Sequence, residues 1–482
     1  MLMRNTIFSS LLFSLLLIAI PSRAEDPFNL PLLNDGTSSI VSLESEYRLG
    51  RNWARILRGQ APMLEDPITY QYLEDLLWRL LPHSQVQDRR LELFLLANPS
   101  FNAFAVPGGV IGVHGGLILA AESEGELASV IAHELAHLSQ RHFAQRLEEE
   151  RRNRPLMLAG ILAGILVAAA DTEGGVAVMS STMGASAQNQ LAFSRRNEQE
   201  ADRVGMQTLV SANFDPHTMP QMFSRLQRNY QFYGQRPPEF LLTHPVTESR
   251  IADSLNRASQ LPDVREKSNS TEFSLIKARM DVQFAKSPVA SLEHFRNSLS
   301  RNTSAYSRYG LMLAAIANQD FELAEQTRAQ MPVELRQHPY VEYSRIEGLL
   351  QQENYTKALE LTRQLLALYP DSRPVRSLNA RVLRSNEQLS ASLREYKSLA
   401  RDYPNDTQIW FQLAETEGLA GNTLGVHEAR IEYFMLTAQI DLALKQITYA
   451  RRGKGLTASD IARLDQREQE ARALRQEMKE QF

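Results

Sequence analysis

The chain runs to 482 residues, enough for two or three domains that each bury a core of their own. A formal charge of −4 offers no basic surface for nucleic acid, and 43% hydrophobic with 22% charged residues is the balance of a globular chain, not of a disordered or multispan membrane one. Cysteine is absent, which excludes a thiol nucleophile, a thiolate-bound metal, a lipid-bearing cysteine and disulfides, and leaves catalysis to hydroxyls, carboxylates or metal-bound water.

Residues 1–24 read as a cleavable secretory signal. Arg4 supplies the positive start, Ile7 to Ile20 the apolar run, and Ser22-Arg23-Ala24 the small residues before cleavage. An uncleaved anchor is the alternative, although the run is short for one. Residues 25–42 are rich in Pro, Ser, Asp and Asn and read as a flexible leader. Between Leu43 and Leu81 the apolar residues recur at helical spacing (Leu49, Trp53, Ile56 and Leu57, then Tyr70, Leu73, Leu76, Leu77 and Leu80), which predicts two amphipathic helices. Leu91 to Ala97 predicts a strand. Asn102 to Val106, the Pro107-Gly108-Gly109 turn and Val110 to Val113 predict a strand, a tight turn and a strand. That unit is either an internal hairpin or an edge along which an extended substrate pairs. Glu124 to Glu150 predicts one uninterrupted helix.

Inside that helix lies His133-Glu134-Leu135-Ala136-His137. Residues at i and i+4 share a face, so both imidazoles reach one ion, and Zn²⁺ accepts nitrogen ligands while keeping a position for water. Glu134 stands about 100° round the helix from His133, placed to touch that water and not to ligate. The apolar, Ala/Gly-rich run Leu156 to Ala170 is too short to span a bilayer and reads as a buried helix. Its alternative is a lid or a surface meeting membrane or an unfolded client, with Gly174 to Gln190 continuing it as a loop. Asn197 to Ser211 predicts a helix closed by the turn at Asn213-Phe214-Asp215-Pro216. On it Glu198 and Asp202 share a face and Glu200 points roughly opposite. Glu198 is therefore the candidate third ligand, Asp202 an acceptor that orients a ligand imidazole or assists proton transfer, and Glu200 a solvated helix charge. An exchange of roles between Glu198 and Glu200 stays open.

His244, before Pro245, falls on an extended or turn segment. It is a packing residue, a donor to a developing oxyanion, or a ligand that closes zinc's open position and holds the enzyme latent. His114 follows the hairpin and reads as a structural residue, with an approach to the site as the alternative. His142, five residues past His137, would lie well off the ligand face of a continuous helix. Beyond a polar boundary at 261–271, Phe321 and Ala324 recur as Tyr355 and Ala358, Pro370 as Pro404, and Ala380 as Ala414, all 34 residues apart. This is the tetratricopeptide period, although Leu389 and Ser392 replace the expected Tyr and Ala. The expected organisation is a zinc metalloprotease domain over 43–260, a linker over 261–271 and a helical repeat domain over 272–482. The fold class is α+β: a mostly helical zincin-type domain with a small β-sheet, then an all-α solenoid whose concave face binds proteins.

His-Glu-x-x-His, followed by Glu-x-x-x-Asp and preceded by Asn-Ala-Phe-x-x-Pro-Gly-Gly, resembles the M48 metallopeptidases over residues 43–260. The resemblance implies one zinc ion held by His133, His137 and Glu198, Glu134 as general base and Asp202 as proton donor. With the signal and the repeats, stretches such as Asn197 to Arg203 and Leu241 to Pro245 are similar to repeat-bearing M48 peptidases of Gram-negative periplasms. That similarity implies quality control of outer-membrane proteins, by degradation or by promoting maturation, with the β-barrel assembly machinery met through the repeats. The competing reading is a chaperone-like adaptor with a latent or dispensable protease site.

Overall fold

The computed structural model describes residues 42–145, 194–233, 239–262, 264 and 270–482. The signal at 1–24, the leader up to 41, the 156–190 segment and most of the second half of the 261–271 boundary lie outside the described residues.

The two expected N-terminal helices are α1 (Leu43–Gln60) and α2 (Pro67–Leu80). Each begins on a side chain that accepts from otherwise unpaired amides: Ser42 from Ser45 N–H, and Asp66 from Ile68 and Thr69 N–H, with Pro67 opening the first turn of α2. β1 (Glu92–Leu96), β2 (Ala103–Val106) and β3 (Val110–His114) form one sheet in the order β1-β3-β2. β1 runs parallel to β3, and β2 returns antiparallel to it with Ala105 opposite Ile111. The tight turn requires its glycines, since Gly108 and Gly109 take φ of 77° and 76°. β2 and β3 are buried along their whole length, as an apolar run without alternation implies.

α3 (Gly115–Ala120) leads to α4 (Glu124–Ser139), which starts on a Ser123 cap and carries the histidine motif. The expectation of a single helix to Glu150 is corrected here. Arg141 adopts a left-handed φ of 53°, α4 stops before it, and helix resumes at His142 with a changed direction. α5 (Arg195–Ser211), α6 (Thr218–Tyr233), α7 (Glu239–Thr243) and α8 (Glu248–Ala258) complete this half.

Six helical hairpins follow: α9 (Thr271–Gln283) with α10 (Pro288–Arg301), α11 (Ala305–Ala317) with α12 (Phe321–Ala329), then a short α13 (Val333–Arg336) before α14 (Pro339–Gln351) with α15 (Tyr355–Leu368). α16 (Arg373–Ser385) pairs with α17 (Leu389–Asp402), α18 (Thr407–Leu419) with α19 (Thr423–Leu436), and α20 (Ile440–Ala450) with α21 (Ala458–Gln481). The first helices begin at Thr271, Ala305, Pro339, Arg373 and Thr407, each 34 residues after the last. Left-handed residues Gln319, Glu353, Glu387 and Gly421 turn four of the hairpins at the same period. Ser392, an exception to the repeat pattern, is fully buried, and its hydroxyl donates to the Ala380 carbonyl at 2.7 Å, so the polar atom is satisfied.

The polar boundary at 261–271 does not divide the core. One apolar cluster runs from Leu73, Ile111 and Ile131 into Ile276, Ile346 and Leu378. A buried cation reinforces the join: Arg279 of α9 donates to both oxygens of Asp66 at 2.7 and 3.0 Å, to Tyr309 Oη at 2.9 Å and to Ser344 Oγ at 2.8 Å. The far end of the array also returns to the first helix, where Asn52 Nδ2 donates to Gln481 Oε1 at 2.7 Å. No described helix is long and apolar enough to cross a membrane.

Candidate metal centre

α4 and α5 cross at Gly205, where a Cβ would press on the Ala132 carbonyl and His133 amide at 3.1–3.2 Å. This close approach brings Glu198 and Asp202, one turn apart on α5, against His133 and His137, one turn apart on α4. His244, just beyond α7, closes the group from a third direction. The ligating atoms of His133, His137, Glu198 and His244 all lie within 4.8 Å of one another, and all four side chains are buried.

Their spacing suits a zinc ion. Zn–N bonds of about 2.0–2.1 Å place tetrahedral donors about 3.3 Å apart. His133 Nε2 lies 3.0 Å from His137 Nε2 and 3.4 Å from His244 Nδ1; Glu198 Oε1 lies 3.0 Å from His244 Nδ1 and 3.4 Å from His137 Nε2. The other ring nitrogen of each motif histidine already faces a partner, which turns the Nε2 atoms toward each other. Such an arrangement of buried lone pairs calls for a cation between them.

The partners behind the ligands form two chains. His133 Nδ1 lies 3.1 Å from Asp202 Oδ1, and Asp202 accepts from Arg250 Nη2 and Nε, each at 2.7 Å. Arg250 Nη1 also lies 2.8 Å from Glu198 Oε2 and 2.8 Å from the Pro245 carbonyl, while its guanidinium sits over the Phe223 ring. On the other side His137 Nδ1 lies 3.1 Å from His142 Nδ1, and His142 Nε2 lies 3.3 Å from Glu200 Oε2.

Electrostatics follow from this burial. Desolvation alone would raise Glu198, but the charge of His244 and the bonds to His133, His137 and His244 hold it well below the ordinary carboxyl range. Desolvation pushes His137 well below the usual imidazole range. Glu134 is 1% exposed, no described side chain hydrogen-bonds to either of its oxygens, the Ala105 backbone amide faces it, and His244 Nε2 stands 3.8 Å from Oε1. Burial therefore raises its proton affinity, with His244 and His133 pulling it partly back. A buried carboxylate beside a metal site is suited to take and return a proton.

His133, Glu134, His137, Glu198, Asp202 and His244 are thus all brought together. His244 stands at ligand spacing, its Nδ1 facing the other donors and its Nε2 facing Glu134. Two readings are corrected. Glu200 is not a solvated charge, because it meets His142, whose bond holds its carboxyl below the usual range. His142 is fully buried behind His137, because the left-handed Arg141 swings it back toward α4. Arg250 gave no signal in the sequence, where it is one arginine among many on a polar helix. His114 does not join the cluster; its Nδ1 meets Ser100 Oγ at 3.1 Å, and burial lowers its pKa to about 4.

Residues 67–258 match peptidase family M48, and residues 349–414 match the tetratricopeptide repeat. The chain is 32% identical to the β-barrel assembly-enhancing protease of Escherichia coli over 478 residues, covering 95% of this chain and 94% of that one. It is 31% identical to the Yersinia pestis protein of the same name, covering 97% and 98%. The mitochondrial metalloendopeptidase OMA1 of Schizosaccharomyces pombe is 28% identical over 225 residues, 46% of this chain and 64% of that one.

Proposed function

Because the chain belongs to the M48 metallopeptidases, among the β-barrel assembly-enhancing proteases, and is a zinc metalloendopeptidase, we propose that it cleaves misassembled outer-membrane proteins in the bacterial periplasm. In this reading His133, His137 and Glu198 hold the zinc ion. When bound, zinc supplies Lewis acidity, lowering the pKa of a coordinated water toward about 7 and polarising the carbonyl to be cleaved. Glu134 takes the water's proton as the carbonyl is attacked and delivers it to the departing amine. Its burial and the absence of any side-chain hydrogen bond to it among the described residues support both halves of that transfer. Asp202 holds His133 in place; both its oxygens are engaged by Arg250, which favours orientation over proton donation. β2, bonded on one side to β3 and packed on α4, offers its other side to an extended substrate chain. The repeat array is the surface for protein clients and for the β-barrel assembly machinery, assisting assembly as well as degradation.

The observation that carries this reading is the near-tetrahedral donor set beside the buried Glu134 carboxylate. The deciding variant is Glu134→Gln. It should keep about one zinc per chain and lose about 10²–10⁴-fold in casein cleavage. Undiminished cleavage would end the mechanism, and full function in cells without cleavage would favour the adaptor reading. A second reading concerns the resting state. His244 stands at ligand spacing, which supports a closed site with its fourth position filled. His244→Ala should then raise cleavage; a fall would assign the ring to oxyanion stabilisation instead.

A further inference from the structure

His142 and Glu200 belong to neither sequence motif, yet they make a continuous line into the metal centre. His137 turns Nε2 toward His133 Nε2 at 3.0 Å and Glu198 Oε1 at 3.4 Å, and turns Nδ1 toward His142 Nδ1 at 3.1 Å. Two ring nitrogens at that distance bond only if one carries a proton and the other a lone pair. A neutral His137 that gives its Nε2 lone pair to a cation keeps its proton on Nδ1, which makes Nδ1 the donor. His142 Nδ1 must then be the acceptor, so the His142 proton sits on Nε2, where Glu200 Oε2 waits 3.3 Å away. A single set of tautomers satisfies His137, His142 and Glu200 together. The line mirrors the one behind His133, where Asp202 accepts and Arg250 holds Asp202.

We propose that His142 and Glu200 are positioning residues for the zinc ligand His137: Glu200 fixes the tautomer of His142, and His142 fixes the tautomer and ring plane of His137. Neither touches substrate. Both act on how tightly and in what geometry the metal is held. The left-handed Arg141 is part of the device, because only a break in the helix returns a residue at i+5 to the face of His137. The inference rests on the reading of His137 as a ligand, and the test separates the two.

Zinc dissociation constants of the full-length protein, measured by competition with a chromophoric chelator, are the primary readout. His142→Phe keeps the ring volume and removes the acceptor, and should weaken zinc binding about 10–100-fold. His142→Asn loses volume but places Oδ1 where Nδ1 stood, and should recover most of that loss. If His142 served packing alone, Phe would be the milder change, so the order of the two variants decides the matter. Glu200→Gln retains an acceptor and should stay near wild type, whereas Glu200→Leu should not. His137→Phe is the control: unchanged zinc affinity there would overturn the ligand assignment itself, while a loss there with none in His142→Phe would overturn only the present proposal. Should His142→Phe fail to fold, ¹⁵N-histidine spectra of the zinc-loaded wild type still decide. An Nε2–H His142 opposite an Nδ1–H His137 is expected, and an Nδ1–H His142 refutes the proposal.

Discussion

Replacing Arg250 by Met should be the most damaging single change at the site that leaves every zinc ligand intact. The guanidinium is 3% exposed and places four short polar contacts of 2.7–2.8 Å on Asp202, Glu198 and the Pro245 carbonyl. Removing it strands two buried carboxylates that cannot recruit water. Breaking a buried ion pair from one side costs about 3–5 kcal/mol, most of it from the charge left behind. Arg250→Lys restores the charge but not the fork, since an ammonium is a point donor and cannot serve both Asp202 oxygens and Glu198 at once; it should recover about half of the loss. Urea unfolding followed by tryptophan fluorescence measures this directly, because Trp53 is 1% exposed in the protease half. Zinc affinity should fall about 10–100-fold in both variants through the loosened His133. An Arg250→Met protein within about 1 kcal/mol of wild type would refute the account of Arg250 as the counter-ion of the site.

His114 should impose a pH dependence on stability. Its folded pKa of about 4 lies below the usual 6.5, so below pH 6.5 the unfolded chain takes up a proton that the folded chain refuses. The stability this ring contributes when neutral is therefore complete above 6.5, shrinks as pH falls, and levels off below about 4; by about pH 4.5 the loss is about 2–3 kcal/mol. The check is the difference in unfolding free energy between wild type and His114→Gln, which should narrow by that amount from about pH 7 to about pH 4.5. Arg279→Met should loosen the protease half from the repeats, with a cost of about 3–5 kcal/mol as Asp66 loses its counter-ion and keeps only its two cap amides. Limited proteolysis should then cut within 261–271 faster than in wild type, and unchanged cleavage there would count against Arg279 as the tie.

The local rules carried the sequence reading a long way. The i, i+4 pairs on α4 and α5 put four groups on two helix faces, and the Pro-Gly-Gly turn fixed the hairpin, because each signal depends only on neighbours in the chain. Those signals break down where one residue leaves its expected backbone region. Nothing in the composition around Arg141 marks a left-handed residue, and with it unseen, His142 fell off the ligand face and Glu200 read as a solvated charge. Arg250 was invisible for another reason: its role exists only where α5 and α8 meet, and no local pattern encodes that meeting. The boundary at 261–271 was legible as a change in composition, yet the apolar cluster passes across it. Composition records where a chain is polar, and it does not record whether the helices on either side share a core.

The buried charges explain why these unheralded residues matter. Glu134, Glu198 and Asp202 bring three carboxylates into one dry site, and Arg250 returns one positive charge. A divalent cation brings ionised carboxylates and Arg250 to neutrality, which is the state a low-dielectric interior favours. The distribution is also unequal. Arg250 neutralises the Asp202 side directly, whereas no described arginine or lysine pairs with Glu134, whose nearest cationic neighbours are His244 and His133. On the proposed mechanism, that asymmetry would let Glu134 exchange a proton while Glu198 and Asp202 keep the ligands still. A site arranged otherwise, with Glu134 tied to an arginine as Asp202 is, would be more stable and a poorer base.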